Sequence, residues 1–217
     1  MSTFDTTAHT TPGDLPAPLP LLPRMTEEEF VAWCTRETRA EWVDGEVIEM
    51  SPASIEHVDL NSWFSKVLGL FVEHHNLGVV LGPEAMVRLS GQNRRRVPDL
   101  FFISNDHRER LRENHVEGAP DLAIEIVSPD SEARDWREKY LEYEEAGVRE
   151  YWVVDPNSKH VEVYSLNADD KYGRISELDG AVTSTVLPDF TLKTDWLWAG
   201  SRPPVLEVLK QLGVLGE

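Results

Sequence analysis

Cysteine is nearly absent: Cys34 is the only one in 217 residues, so no internal disulfide can form and a reducing, cytoplasmic setting is expected. No run approaches ~18 consecutive apolar residues, which excludes a helix that spans a bilayer. Residues 1–10 offer neither a basic start nor an apolar stretch, so no secretory signal is expected. Cations are scarce as well: 21 Lys and Arg stand against 39 Asp and Glu, a formal charge of −18. That balance speaks against a surface that attracts nucleic acid everywhere, because phosphate neutralisation needs a basic face. Also missing are a glycine-rich phosphate cradle, a zinc-ligand spacing and a Ser-His-Asp arrangement.

What the chain does have is enough apolar material (41%) for one substantial core. Residues 1–23 read as a flexible tail rich in Pro and Thr, without periodicity. Residues 24–200 read as one α/β domain, a mixed β-sheet flanked by helices, and 201–217 as a short helical extension. Thr26 to Glu29 is a capping box that opens a first helix through Phe30 and Trp33. Two short strands follow around Asp44-Gly45. A long helix is expected over 55–75, closed by Asn76-Leu77-Gly78. Strands are expected at 97–103, 122–127 and 149–154, with a third helix over 131–146 ending at Gly147. The segments 161–164, 172–175 and 182–186 suggest an antiparallel meander.

Two carboxylates in the middle third resist explanation by packing. Asp99 opens the apolar strand Leu100-Phe101-Phe102-Ile103, and Glu125 sits inside Leu122-Ala123-Ile124-Glu125-Ile126-Val127. A charge there costs free energy unless it is paired or bound to a metal. At helical spacing, Trp136, Lys139, Tyr140, Tyr143 and Ala146 share the face of the third helix that should meet the sheet, with Glu142 on the outer face. Lys139 is the only cation of that inner face, and Asp99 and Glu125 are its expected partners. Each residue also has a plainer reading: Asp99 as a turn residue, Glu125 as a structural ion-pair partner, Lys139 as a side chain reaching past the edge to water. Their coincidence has a chemical reason. Two carboxylates and a backbone carbonyl, here that of Ile126, present hard oxygens suited to Mg²⁺ or its substitute Mn²⁺, and a neighbouring lysine can stabilise charge on a phosphoryl group.

One basic cluster, Arg94, Arg95 and Arg96 with Arg88 nearby, reads as a solvated loop placed to clamp phosphate just before Asp99. His57 reads as a candidate site-edge residue, with a surface or capping role favoured, and Cys34 as a packed one.

The segments Val97-Pro98-Asp99-Leu100, then Ala119-Pro120-Asp121-Leu122-Ala123-Ile124-Glu125-Ile126-Val127-Ser128-Pro129, resemble the Uma-two family of restriction-endonuclease-like proteins, long grouped as a domain of unknown function. The resemblance continues through Asp135, Lys139, Tyr140 and Tyr143 to the segment 146–155, and includes 41–46 and 187–190. It covers about residues 24–198. It implies a restriction-endonuclease-like fold of the PD-(D/E)xK nuclease superfamily, with Asp99 as the PD aspartate and Glu125 at the (D/E) position. The usual lysine slot holds Val127, and Lys139 on the next helix is the matching cation. Glu41 resembles the acid that often approaches such centres. The implied activity is metal-dependent endonucleolytic hydrolysis of DNA by a homodimer. Two alternatives stay open: a catalytically silent nucleic-acid-binding or regulatory module on the same fold, and an acidic protein-interaction module. A positive rim around the cleft, supplied by Arg88, Arg94, Arg95 or Arg96, would separate the first two from the last.

Overall fold

The computed structural model describes residues 24–34, 38–128, 134–198, 200 and 202–216. The expected tail at 1–23 and the start of the expected third helix, 131–133, lie outside the described residues.

Short β-rich apolar runs build two main sheets. In chain order the strands are β1 (Ala40–Val43), β2 (Glu46–Glu49), β3 (Gly78–Leu81), β4 (Val87–Leu89), β5 (Arg94–Arg96), β6 (Leu100–Ser104), β7 (Val116–Glu117), β8 (Leu122–Ile126), β9 (Glu150–Asp155), β10 (His160–Leu166), β11 (Tyr172–Ile175), β12 (Ala181–Thr183) and β13 (Thr191–Lys193). The helices are α1 (Glu27–Trp33), α2 (Ile55–His74), α3 (Lys139–Ala146) and α4 (Val205–Gln211). The larger sheet has the order β11-β10-β9-β8-β6-β3, and only β8 and β9 run parallel in it. The second sheet has the order β2-β1-β5-β4-β7.

The period-two alternation of β6 and β8 divides the interior in two. Leu100, Phe102, Leu122, Ile124 and Ile126 face α2, where Phe64, Val67, Leu68 and Phe71 are fully buried. Burying each such side chain contributes ~1.5–3 kcal/mol, so this face carries much of the stability. Val208 of α4 joins the same core, and Trp63 Nε1 donates to Pro203 O at 2.8 Å, tying the C-terminal segment to α2. The other face, Phe101, Ile103, Ala123 and Val127, meets Tyr143 of α3 and Val87, Leu89 and Val116 of the second sheet. A cleft lined by residues of α2, β1, β2, β8 and α3 opens beside these layers.

Local chemistry sets the element ends. Thr26 and Glu29 close the expected capping box reciprocally, at 2.8 and 3.2 Å. Asp44 (φ 49°) and Gly45 (φ 93°) form the expected tight turn between β1 and β2. Gly147 ends α3 in the left-handed region at φ 85°, the conformation that glycine adopts without a Cβ clash. Gly78 answers a different demand: a Cβ there would fall 2.1 Å from Ile103 O on the paired strand.

The structure corrects three local expectations. The segment expected to extend the meander as 182–186 instead forms β12, which pairs with β13 in a separate two-stranded sheet. The arginine cluster is not a solvated loop: Arg94–Arg96 is β5, between β1 and β4. Glu142 is buried rather than on an outer face. Among the described residues, no helix is long and apolar enough to cross a membrane.

Candidate active site

The β6–β8 register pairs Leu100 with Ile124; continuing it by one residue sets Asp99 opposite Glu125. Residues directly opposite in an antiparallel pair project from the same face with Cα atoms ~4.5–5.5 Å apart. The two acids, distant in sequence, therefore meet at one end of the sheet. Both line a cleft of about 530 Å³ that also receives Glu41, His57, Asp135 and Lys139.

Asp99 is held on both oxygens. Its Oδ2 accepts from Ile126 N at 2.8 Å, and His57 Nε2 lies 3.0 Å from Oδ1. Glu125 is held likewise: Tyr143 OH donates to Oε1 at 2.7 Å, and Lys139 Nζ stands 2.9 Å from Oε2. An ionised carboxylate has about four acceptor positions, so these bonds leave capacity for a further ligand on each acid.

Lys139 reaches this point because a wide π-helical turn, Arg134–Glu138, precedes α3. Asp135 and Lys139 are thereby one turn apart, with Nζ 3.2 Å from Asp135 Oδ1 and 3.5 Å from Glu41 Oε1. Burial alone would lower the lysine's pKa, but Glu125, Glu41 and Asp135 outweigh it and raise it, so the ammonium is retained. For Glu125, burial pushes the pKa up; Lys139 opposes this, while Asp135, Asp99 and Glu41 add to it. Tyr143 is raised by burial and by the charges of Glu125 and Glu41, which keeps its phenol a donor.

Glu41 is anchored from the opposite side. Arg96 donates to its Oε2 at 2.6 Å and Val97 N to its Oε1 at 3.1 Å. Burial opposes its ionisation, yet Lys139, Arg96 and the Val97 N–H bring its pKa down to about 2. Arg96 in turn makes a bidentate pair with Glu142, both bonds 2.7 Å. A continuous buried charge network thus runs from Glu142 through Arg96, Glu41 and Lys139 to Glu125.

Of the residues the sequence singled out, Glu41, Asp99, Glu125 and Lys139 come together, and the Ile126 backbone is bonded to Asp99. Lys139 was expected to pair with Asp99 and Glu125; among the described contacts its partners are Glu125, Glu41 and Asp135. The arginine clamp is not assembled as expected. Arg96 is 0% exposed and committed to carboxylates, so it cannot touch a phosphate. Arg88 is paired with Glu27 and Glu117, Arg95 with Glu27, and Arg94 with Asp44 and Glu142. Among the described residues, the lysine and arginines that line the cleft are Lys139, Arg39 and Arg134. Sequence reasoning favoured a surface or capping role for His57 over a place at the site's edge, yet its side chain is only 12% exposed and sits on Asp99. Its pKa is raised: burial acts to lower it, but the hydrogen bond to Asp99 and the charges of Asp99 and Asp135 prevail. Asn61, which donates to Asp99 O at 3.2 Å, was not noticed at all. Its place one helical turn after His57 was the available signal.

The donor set suits a hard divalent cation. Glu41, Asp99, Glu125, Asp135 and Glu142 bring buried carboxylates together with Lys139, Arg96 and His57, and their oxygens are the hard donors such a cation takes. Among the described residues no three His, Cys, Asp or Glu side chains gather closely enough to hold a metal ion alone. Two carboxylates, a backbone carbonyl and water would have to suffice, which matches the habit of Mg²⁺ of keeping several waters. His57 Nδ1 and Asn61 Oδ1, both buried beside Asp99, have no hydrogen-bond partner among the described residues, consistent with water at this place.

A mixed sheet flanked by helices, with two acids and a lysine meeting at its end, defines an α/β protein with a charged cleft. The chain belongs to the Uma2 family, whose model carries the description putative restriction endonuclease and matches residues 27–195. A crystal structure described as a putative nuclease belonging to DUF820, from Anabaena variabilis, superposes with a TM-score of 0.65. The two sequences are 19% identical over 87% of this chain and 99% of that one, so the likeness concerns the fold. No curated protein matches the chain.

Proposed function

We propose that the protein is a divalent-metal-dependent endonuclease that hydrolyses DNA phosphodiester bonds. The observation that carries this reading is the meeting of Asp99 and Glu125 across β6 and β8, with Lys139 Nζ 2.9 Å from Glu125. Asp99, Glu125 and the Ile126 carbonyl would hold Mg²⁺, or Mn²⁺ in its place. The ion, when bound, would supply Lewis-acid stabilisation and a more acidic water.

The chain's own groups divide the remaining work. Lys139, kept as an ammonium by its carboxylates, stabilises negative charge that develops on the phosphoryl oxygens. Glu41 orients Lys139 and is itself fixed by Arg96 and the Val97 N–H. Tyr143 and the Ile126 N–H hold the two metal-binding acids in place. Arg39, exposed on the cleft wall, would meet the DNA backbone. A homodimer would bring two such centres to two strands.

The test is nicking of supercoiled plasmid with Mg²⁺ or Mn²⁺. The parent should cut and a chelator should stop it, while the isosteric variants Asp99→Asn and Glu125→Gln should each lose at least ~100-fold in rate, the scale of removing one charge-stabilising group. Both variants cutting as fast as the parent would overturn the assignment. A second reading, a DNA-binding module without hydrolysis, is favoured by the lack of a three-ligand cluster among the described residues. It predicts DNA retention with no metal-dependent cutting.

A further inference from the structure

Ile48, Met50 and Val58 line the cleft yet belong to none of the hydrophobic cores among the described residues. Local structure puts them there. The β1–β2 register sets Ile48 opposite Glu41, and Met50 N donates to Arg39 O one alternation further on. Residues opposite each other project from one face of the pair, and the period of two keeps 48 and 50 on that face. The hairpin therefore presents Arg39 and Glu41 beside Ile48 and Met50. Val58, in the first turn of α2, is 52% exposed. Pro52 and Pro83 add to the apolar lining.

The charged groups of the same cleft are recessed: the Lys139 and Glu125 side chains are 6% and 3% exposed. For a phosphate to reach them, its own sugar and base must enter as well. An intact duplex cannot follow. Double-stranded DNA meets its proteins over ~1,000–2,500 Å² of protein surface, whereas a cleft of about 530 Å³ falls among pockets of ~300–1,000 Å³ that hold one small molecule. A phosphate held in a stacked duplex would also leave Ile48, Met50 and Val58 without an apolar partner. A nucleotide out of the stack carries both halves of the matching chemistry. Its phosphate is an anion for Lys139 and Arg39, and its base has apolar faces for the aliphatic wall. We propose that the cleft takes one unpaired nucleotide, from single-stranded DNA or displaced from a duplex, and packs its base against Ile48, Met50 and Val58. The inference rests on the reading of the site as a DNA nuclease and names the form of DNA that enters it.

The test is binding of labelled oligonucleotides to the full chain in Ca²⁺, read by fluorescence anisotropy, with cutting of the same strands measured in Mn²⁺. One sequence is compared as a single strand, as a perfect duplex and as a duplex with one unpaired nucleotide. The single strand and the unpaired site should each bind at least ~10-fold more tightly than the perfect duplex, which must first unstack a base. Ile48→Ser and Val58→Ser should each weaken single-strand binding ~10-fold and leave duplex binding as it was. On a strand without bases, neither substitution should change binding. Thermal melting checks folding, and should Ile48→Ser not fold, Val58→Ser at its exposed position decides. A perfect duplex bound as tightly as the single strand, folded serine variants within twofold of the parent, or an equal loss on the strand without bases overturns the inference and leaves the nuclease reading standing. A serine variant that turns a dimer into a monomer overturns it too, because the wall then belongs to a second copy. Preferential binding of the single strand without cutting keeps the apolar wall and removes hydrolysis. A parent that neither binds nor cuts any of the three forms removes both readings.

Discussion

Replacing Arg96 by methionine separates a structural role from a DNA-binding one. The guanidinium is fully buried and makes three charge-assisted bonds, two to Glu142 at 2.7 Å and one to Glu41 at 2.6 Å. Methionine fills a similar volume but leaves two buried carboxylates short of their counter-charge. Removing one partner of a buried ion pair costs ~3–5 kcal/mol. For a chain of this size each kcal/mol moves the melting temperature by about 2–4 °C, so the midpoint should fall by roughly 6–20 °C. Thermal and urea denaturation, read by circular dichroism, give the number directly. The double variant Arg96→Met/Glu142→Leu should recover part of the loss, because one stranded charge is then gone while Glu41 keeps Lys139 and Val97 N. A loss below about 1 kcal/mol, together with weaker DNA binding, would refute this account and return Arg96 to the phosphate clamp.

Two further expectations follow from the same geometry. Glu41 has a folded pKa of about 2 against 4.5 for the free group. Its contribution to stability, ~3 kcal/mol, is therefore complete above pH 4.5 and is lost as the pH falls from there through 2. Glu41→Gln should flatten that part of the pH–stability curve, and an unchanged slope would contradict the network. Gly78→Ala should cost ~1–3 kcal/mol by overpacking, since the new Cβ meets the backbone of Ile103 at 2.1 Å; an unshifted urea midpoint would show that β3 yields freely.

What was legible in the sequence had local causes. The Thr26–Glu29 cap, the Asp44-Gly45 turn, the helix over α2 and the Gly147 stop each follow from a few adjacent residues. The juxtaposition of Asp99, Glu125 and Lys139 was legible because each acid or cation interrupts an apolar pattern that leaves it no solvent. The failures share a different cause. Arg96 and Glu142 are 46 positions apart and Arg96 and Glu41 are 55 apart, so nothing beside Arg96 in the chain reveals that its charge is satisfied indoors. Glu142 was misplaced for the same reason: a carboxylate on a helix reads as solvent-facing until its arginine is known. His57 was read by its nearness to the helix start, whereas its defining contact is Asp99, 42 positions later. Pairings between distant charges are set by sheet topology, and a period of 2.0 or 3.6 residues carries no record of them.

Diffraction from crystals soaked in Mn²⁺ tests the core of the account most directly. An anomalous difference peak between the carboxylates of Asp99 and Glu125, lost in Asp99→Asn crystals soaked in the same way, is the expected result. A soaked crystal with those carboxylates unchanged and bare, or with manganese bound only elsewhere, would contradict it.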